Sequence, residues 1–316
     1  GVRNFDAGRA YKAMRKNAFE TPKSFAEYKN GMGRRALESY LRYAYIPLED
    51  SVKEAFHTCE QTSRTLEYAF DDFAVAQMAK MLGHDDDYNN LMVRSQNWKN
   101  VINPKTGWAD GRYANGKWLG RKDLVNRQSF ITEGSICHYS WYVPHDVAGL
   151  VERMGGKVEF EHRLDMMFAL NDSSSAARLL YWHGNEPCHQ IPFLYSYIGK
   201  PEKTKRVVTN ILKTEYNDTP GGLSGNDDAG QMSAWYMFAA MGFYPVCPST
   251  PYYIIGSPSF DRVTFNLENK KQFEIIRQKS INNSNFVRLI LNGKQLDNYQ
   301  LSHGDIINGG KLIVEE

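Results

Sequence analysis

Three segments of this 316-residue chain gather side chains able to move protons or hold ligands. The first is Thr132-Glu133-Gly134, followed by Trp141-Tyr142-Val143-Pro144-His145-Asp146. Ile131 and Ile136 flank Glu133, and a carboxyl partly desolvated by such neighbours has a raised pKa, as a general acid needs near neutral pH. Spacing alone favours a solvated loop glutamate. The second segment, Trp182-His183-Gly184-Asn185-Glu186-Pro187-Cys188-His189, sets oxygen donors, two imidazoles and an indole in eight residues. Asn185 and Glu186 suit a hard cation such as calcium. The two histidines raise zinc, but the run lacks the HExxH pattern of a helical zinc site. Hydrogen-bonding loop residues account for the segment equally well.

The third segment runs Pro220-Gly221-Gly222-Leu223-Ser224-Gly225-Asn226-Asp227-Asp228-Ala229-Gly230-Gln231, with an apolar helical stretch after it. A carboxylate at a helix N-terminus is stabilised as an anion by the dipole and the free N–H groups. There it is competent as a general base. Capping explains one of Asp227 and Asp228 but not both comfortably. The glycines have no GK[ST] and no preceding strand, so a phosphate loop is a poor match. Glu133 in an apolar setting and Asp228 at a helix start would have pKa values pushed apart, the acid/base arrangement that glycoside hydrolysis uses. Spacing leaves several hydrolase classes open. No GxSxG elbow, dinucleotide fingerprint or kinase motif competes.

The elements that must position these segments change character along the chain. Up to about Tyr244 the apolar period is helical. Leu66, Ala69, Phe70, Phe73, Ala76 and Ala79 mark one face of a helix that Gly83 can close. Asp146 can cap another that ends at Gly155-Gly156, Val207, Val208, Ile211 and Leu212 form a further stripe, and a helix from Met232 to Met241 ends at Gly242. Long loops separate them, at 103–116, 129–145, 183–190 and 217–230; loops of that length in a compact helical domain are usually functional. After Pro245 the period becomes two. Strands are expected at 252–255, 262–267, 273–276, 287–291 and 312–314, with Asn292-Gly293 as a hairpin turn. The expected division is therefore a helical region over 1–245 and a small antiparallel β module over 246–316.

Composition narrows the partners. Lys and Arg total 38 against 36 Asp and Glu, a net charge of +2, which gives no reason to expect nucleic acid or an anionic membrane. No apolar run approaches the roughly 20 residues that cross a bilayer. Aromatics make up 13% of the chain; they suit a sugar cleft, and a large core explains them better. Cys59, Cys137, Cys188 and Cys247 show no metal spacing and no disulfide framework, so free buried thiols are expected. The opening GVRNFDAGRAYKAM reads as an internal or processed N-terminus.

Taken in order, Arg64-Thr65-Leu66-Glu67-Tyr68, Thr132-Glu133-Gly134, Val143-Pro144-His145-Asp146, Gly184-Asn185-Glu186-Pro187, Pro192-Phe193-Leu194-Tyr195, Gly225-Asn226-Asp227-Asp228 with Gly230-Gln231-Met232-Ser233-Ala234-Trp235-Tyr236, Gly242-Phe243-Tyr244-Pro245 and Gly256-Ser257-Pro258 resemble glycoside hydrolase family 92 over nearly the whole chain. The resemblance implies a calcium-dependent, inverting exo-α-mannosidase that removes terminal mannose from glycans, with α-1,2 linkages favoured. It implies an (α/α)6-barrel-type helical domain, incomplete here, with an N-terminal β-sandwich of the same protein lying outside this chain. It also implies a periplasmic or extracellular location. Carried over by position, Glu133 matches the general acid and Asp228 the general base, with Asp227 beside it. Trp182, His183, Asn185, Glu186, Asn226 and His145 match sugar-contacting positions, and Asn185, Glu186 and Asp228 the calcium region. Where family members continue with Asn-Ala-Trp-Gln-Tyr, this chain has Ser135-Ile136-Cys137-His138-Tyr139. That departure, together with the N-terminal half lying outside this chain, keeps a second reading open, a glycan-binding remnant or fragment without turnover.

Overall fold

The computed structural model describes residues 4–30, 33–51, 58–120, 123–170, 180–279 and 288–316. The chain divides into two compact units, 1–155 and 156–316. The first is helical: α1 (Ala7–Phe19), α2 (Phe25–Lys29), α3 (Leu37–Tyr43), α4 (Gln61–Met81), α5 (Asp85–Arg94), a 3-10 turn over Ser95–Asn100, α6 (Ile136–Tyr139) and α7 (Val147–Arg153). Its organising element is α4, whose predicted apolar stripe holds: Leu66, Ala69, Ala76 and Ala79 are all fully buried. Val75, Ala76 and Ala79 pack with Tyr11 and Ala18 of α1 and Leu91 of α5. On α4, Asp72 is completely buried. It accepts from Arg94 Nε and Nη2, both at 2.9 Å, from Tyr40 Oη at 3.0 Å, and from Arg34 Nη1. Stripping one arginine from such a hub leaves a buried charge uncompensated, a loss of about 3–5 kcal/mol. The hub therefore ties α3, α4 and α5 together.

In the second unit come α8 (Lys157–Met167), 3-10 turns at Glu186–Cys188 and Ile191–Phe193, α9 (Leu194–Tyr197), α10 (Pro201–Thr214) and α11 (Gln231–Met241). Asp165 joins the first three helices, accepting from Tyr195 Oη at 3.0 Å and from Lys203 Nζ at 2.7 Å. Then β1 (Phe243–Tyr244), β2 (Tyr252–Ile255), β3 (Arg262–Asn266), β4 (Gln272–Gln278), β5 (Arg288–Leu291), β6 (Lys294–Gln295), β7 (Gln300–Ser302), α12 (His303–Asn308) and β8 (Gly310–Glu315) complete the chain. They form a three-stranded sheet in order β1-β2-β7 and a five-stranded one in order β3-β4-β8-β5-β6. Every pairing is antiparallel except β4 with β8. Phe243, Ile255, Phe273, Ile275, Leu289, Leu301, Leu312 and Val314 make one core beneath them.

The mainly helical chain with a small C-terminal β module is thus present as its patterning indicates. The hairpin turn has its expected geometry, with φ of 49° at Asn292 and 83° at Gly293, and Leu291 opposite Lys294. Residues with positive φ at both turn positions match the strand twist, hence Asn-Gly. The strand expected to start at Val287 is seen from Arg288; Val287 itself lies outside the described residues. All four cysteines are free, three of them buried. Trp98, Trp108, Trp141 and Trp235 are buried, so most of the indole content serves the core, while Trp182 is 46% exposed. Among the described residues no helix is long and apolar enough to cross a membrane.

Candidate active site

Glu133 sits in the first unit, on a loop caught by the start of α4. The first turn of any helix has N–H groups without intrahelical partners. Here they take loop carbonyls: Glu60 N–H donates to Ser129 O at 2.9 Å and Thr62 N–H to Phe130 O at 3.1 Å. Ser63 Oγ accepts from Thr132 N–H at 3.0 Å and meets Thr132 Oγ1 at 3.0 Å. The loop is closed at its ends by a bridge between Arg127 and Ser135. Glu133 follows with φ of 46°, a left-handed conformation that is uncommon for any residue but glycine. Ile131 and Ile136 are buried, as their types suggest, but Glu133 itself is exposed. This corrects the expectation of an apolar pocket around it: at the left-handed turn the flanking isoleucines go inward and the carboxyl does not join them.

The run that departs from the family pattern has a local explanation. Ser135 caps α6, accepting from His138 N–H at 3.3 Å, and His138 Nδ1 takes Ser135 N–H at 3.4 Å. Both side chains are buried. Ser135 and His138 thus build the short helix that follows Glu133. His145, in the same unit, lies against Phe70 and Phe73 and donates Nε2–H to Ser95 O at 2.9 Å. Burial lowers its pKa below the usual histidine range.

In the second unit the 182–189 and 224–231 segments meet. A Cβ on Gly184 would lie 2.5 Å from Ser224 O, and one on Gly225 would lie 2.8 Å from Gly184 Cα. Only glycines allow this backbone contact. Asn185 and Glu186 are therefore one and two residues from the crossing on one strand of chain, and Asn226, Asp227 and Asp228 one to three on the other. The two aspartates are used differently. Asp227 Oδ1 accepts from Ser233 N–H at 3.0 Å and Ser233 Oγ at 2.8 Å, capping α11. Asp228 is exposed, with φ of 45°. Asn226 is also exposed, and Asn185 is buried.

His183 and His189 shape this place from within. Both are 1% exposed. Tyr216 Oη donates to Met232 O at 3.0 Å, so it accepts from His183 Nε2–H at 2.6 Å, and His183 Nδ1 accepts from Tyr181 Oη at 2.8 Å. His189 Nε2–H donates to His183 O at 2.9 Å, and its Nδ1 accepts from Gln231 Nε2 at 3.1 Å. Burial, then His189, pushes His183 down to about 3; burial pushes His189 down to about 4. Both rings stay neutral at working pH, with both nitrogens of each engaged. Their role here is to fix the segment that carries Asn185 and Glu186. Trp235 packs on His183 with ring centroids 4.4 Å apart and lies parallel to Tyr216, 5° between planes.

Asn185, Glu186, Asn226 and Asp228 offer oxygen, the donor calcium prefers, and calcium takes 6–8 such ligands. Ser224 Oγ, enclosed at the crossing, has no hydrogen-bond partner among the described residues, so a hydroxyl oxygen is available too. No group of three His, Cys, Asp or Glu that could hold a metal occurs among the described residues. The donor type fits calcium, and the set needs further oxygens to be complete.

Sequence reasoning overlooked one acidic residue. Glu67, on α4, is a carboxyl pushed up to about 7 by burial and then by Asp71, against hydrogen bonds from Tyr142 and Tyr139. Its signal was available in the Arg64–Tyr68 run, but periodicity alone marks it as an ordinary polar helix position.

Residues 1–315 match the glycosyl hydrolase family 92 catalytic domain. A secreted glycosidase of Arthroderma benhamiae, itself uncharacterised, is 30% identical across 98% of this chain and 42% of its own length. A family GH92 alpha-mannosidase from Bacteroides thetaiotaomicron has the same fold with a TM-score of 0.84 and 38% identity, over 99% of this chain and 40% of that one. A family GH92 inverting mannosidase from Bacteroides thetaiotaomicron VPI-5482 gives a TM-score of 0.86 and 33% identity, over 100% and 44%. The chain spans about two fifths of the length of the relatives it matches.

Proposed function

The chain belongs to glycosyl hydrolase family 92, and from that premise we propose that it is the C-terminal portion of the catalytic region of a longer inverting exo-α-mannosidase. In this reading 1–245 is the helical catalytic region and 246–316 the β module. The observation that carries the reading is shared by two carboxylates. Glu133 and Asp228 are both exposed, both in left-handed backbone, and both beside a helix N-terminus that holds their loop. Strained, exposed acids of this kind persist where function requires them.

Glu133 is the general acid that protonates the departing glycosidic oxygen, and Asp228 the general base that takes a proton from water. Inverting glycosidases keep two such carboxyls roughly 6.5–9.5 Å apart, leaving room for that water. Asp227 holds the base in place through its cap on α11. Trp182 offers its exposed indole face to a sugar ring, and Asn185, Glu186 and Asn226 supply polar contacts. His183 acts through the segment it fixes, and His145 by its place against α4. Asn185, Glu186 and Asp228, with oxygens beyond them, would hold calcium, which would supply a Lewis acid for the sugar hydroxyls. The substrate is a mannose-containing glycan with α-1,2 linkages favoured, and the location periplasmic or extracellular, in keeping with the secreted relative. The glycan-binding remnant rests on the changed run after Glu133 and on the N-terminal half that lies outside this chain; the Ser135–His138 capping box gives the first of these a structural reason.

The reading is tested on the full-length enzyme with α-mannobiose. It should release free mannose, lose that activity in EDTA, and regain it with calcium but not with zinc. Activity unaffected by EDTA would remove calcium from the mechanism. Hydrolysis of other α-glycosides in preference to mannosides would remove the substrate.

A further inference from the structure

We propose that Gln231 and Tyr216 are positioning residues that hold the turn carrying Asp228 in register with the segment carrying Asn185 and Glu186. The inference rests on the reading of Asp228 as general base and adds two residues that act through it. Gln231 is the first residue of α11. Its backbone N–H donates to Asp228 O at 3.3 Å and closes the turn. Its side-chain Nε2 donates to His189 Nδ1 at 3.1 Å and to Tyr244 Oη at 3.4 Å. The next residue is tied to the other histidine: Tyr216 Oη donates to Met232 O at 3.0 Å and accepts from His183 Nε2–H at 2.6 Å. One turn further, Trp235 Nε1–H donates to His189 O at 2.9 Å. Residues 231, 232 and 235 thus hold the 183–189 segment at three points, and His189 Nε2–H, donating to His183 O at 2.9 Å, joins the two histidines.

The glycine crossing supplies one fastening, where Ser224 and Gly225 meet Gly184, and the Gln231–His189 hydrogen bond supplies a second. Residues 185–188 and 226–230 therefore both run between the same two fastenings. Tyr216 is itself fixed, bridged to Leu223 just before the crossing and stacked parallel to Trp235. Between the fastenings Asp228, Ala229 and Gly230 are all left-handed, with φ of 45°, 57° and 97°. Two successive non-glycine residues in that region persist only where their surroundings over-determine the backbone. Without the side-chain hydrogen bonds of Gln231 and Tyr216 the turn relaxes, and the Asp228 carboxyl leaves the line of the attacking water.

The test uses Tyr216→Phe and Gln231→Met in the full-length enzyme, each alone and each combined with Asp228→Asn, assayed on α-mannobiose. Phenylalanine keeps the ring against Trp235 and loses only the oxygen; methionine keeps the length of glutamine and loses the donor. Each single variant should lower kcat by on the order of 10-fold to 10²-fold, as small misplacements of a reacting group do, with KM changed little. Added to Asp228→Asn, either should cost no more than about twofold further, because residues that act as a unit are non-additive. A merely structural defect would lower activity by the same factor in both backgrounds. Gln231 is only partly buried, so Gln231→Met decides the matter should Tyr216→Phe fail to fold. Equal factors in both backgrounds, or full activity in the single variants, would overturn the inference while Asp228→Asn stays impaired. Should Asp228→Asn keep near-normal kcat, the base assignment falls first, and this inference with it.

Discussion

Asp228→Asn is expected to lower kcat by on the order of 10²–10⁴-fold, the span typical of a lost general base, while a mannose-like inhibitor still binds. The expectation follows from how the two neighbouring aspartates are used. Asp227 spends Oδ1 on Ser233 N–H and Oγ, and so belongs to α11. Asp228 stands exposed in a left-handed turn at the same helix start. Asparagine at 228 keeps an oxygen for a cation but cannot take a proton, so the loss falls on turnover rather than on binding. Asp228→Ala removes both properties and should also weaken calcium. Asp227→Ala should behave differently, costing about 0.5–2 kcal/mol of stability through the lost cap and less in kcat. A reversed pattern, with Asp227→Ala the inactive variant and Asp228→Asn near normal, would move the base to Asp227.

Glu133→Gln carries the second large effect, and its size should depend on the substrate. On a mannobiose the departing alkoxide needs its proton, so the loss should reach roughly 10²–10⁴-fold. On an aryl mannoside with a good leaving group the loss should be slight, because that oxygen departs without help. Equal damage to both would mean that Glu133 binds sugar or holds the loop rather than donating a proton. Its exposed position within the first unit leaves it accessible to a ligand.

Much of this was legible in the sequence, for physical reasons that can be named. The stripe on α4, the Asp146 cap of α7, the end of α11 at Gly242 and the Asn292-Gly293 turn are all local, and local rules found them. Helix α6 was not visible, since four buried residues inside a loop carry no period. Nor was α12, a single capped turn and a half between strands that read as loop. The site shows the same divide. Which loops carry acids followed from composition and order, whereas which acid is exposed did not. The burial of His183 depends on Tyr181, Tyr216 and Trp235, brought together by folding, and an imidazole beside oxygen donors reads as a ligand until those partners are known. Glu67 was passed over for the same reason: Tyr139 and Tyr142, which offset part of its raised pKa, lie more than seventy residues further along. Isoleucines around Glu133 suggested desolvation, yet both are buried while Glu133, in left-handed backbone, stays exposed.

The proposed roles, Glu133 as general acid and Asp228 as general base, require water to attack the face of the sugar opposite the departing group. The most direct measurement is proton NMR of the first mannose released from an α-mannoside by the full-length enzyme, recorded before mutarotation. The account predicts that β-mannose appears first and equilibrates to the mixture afterwards. Mannose appearing first as the α anomer would require a covalent intermediate and a nucleophile in place of a base, and would contradict it.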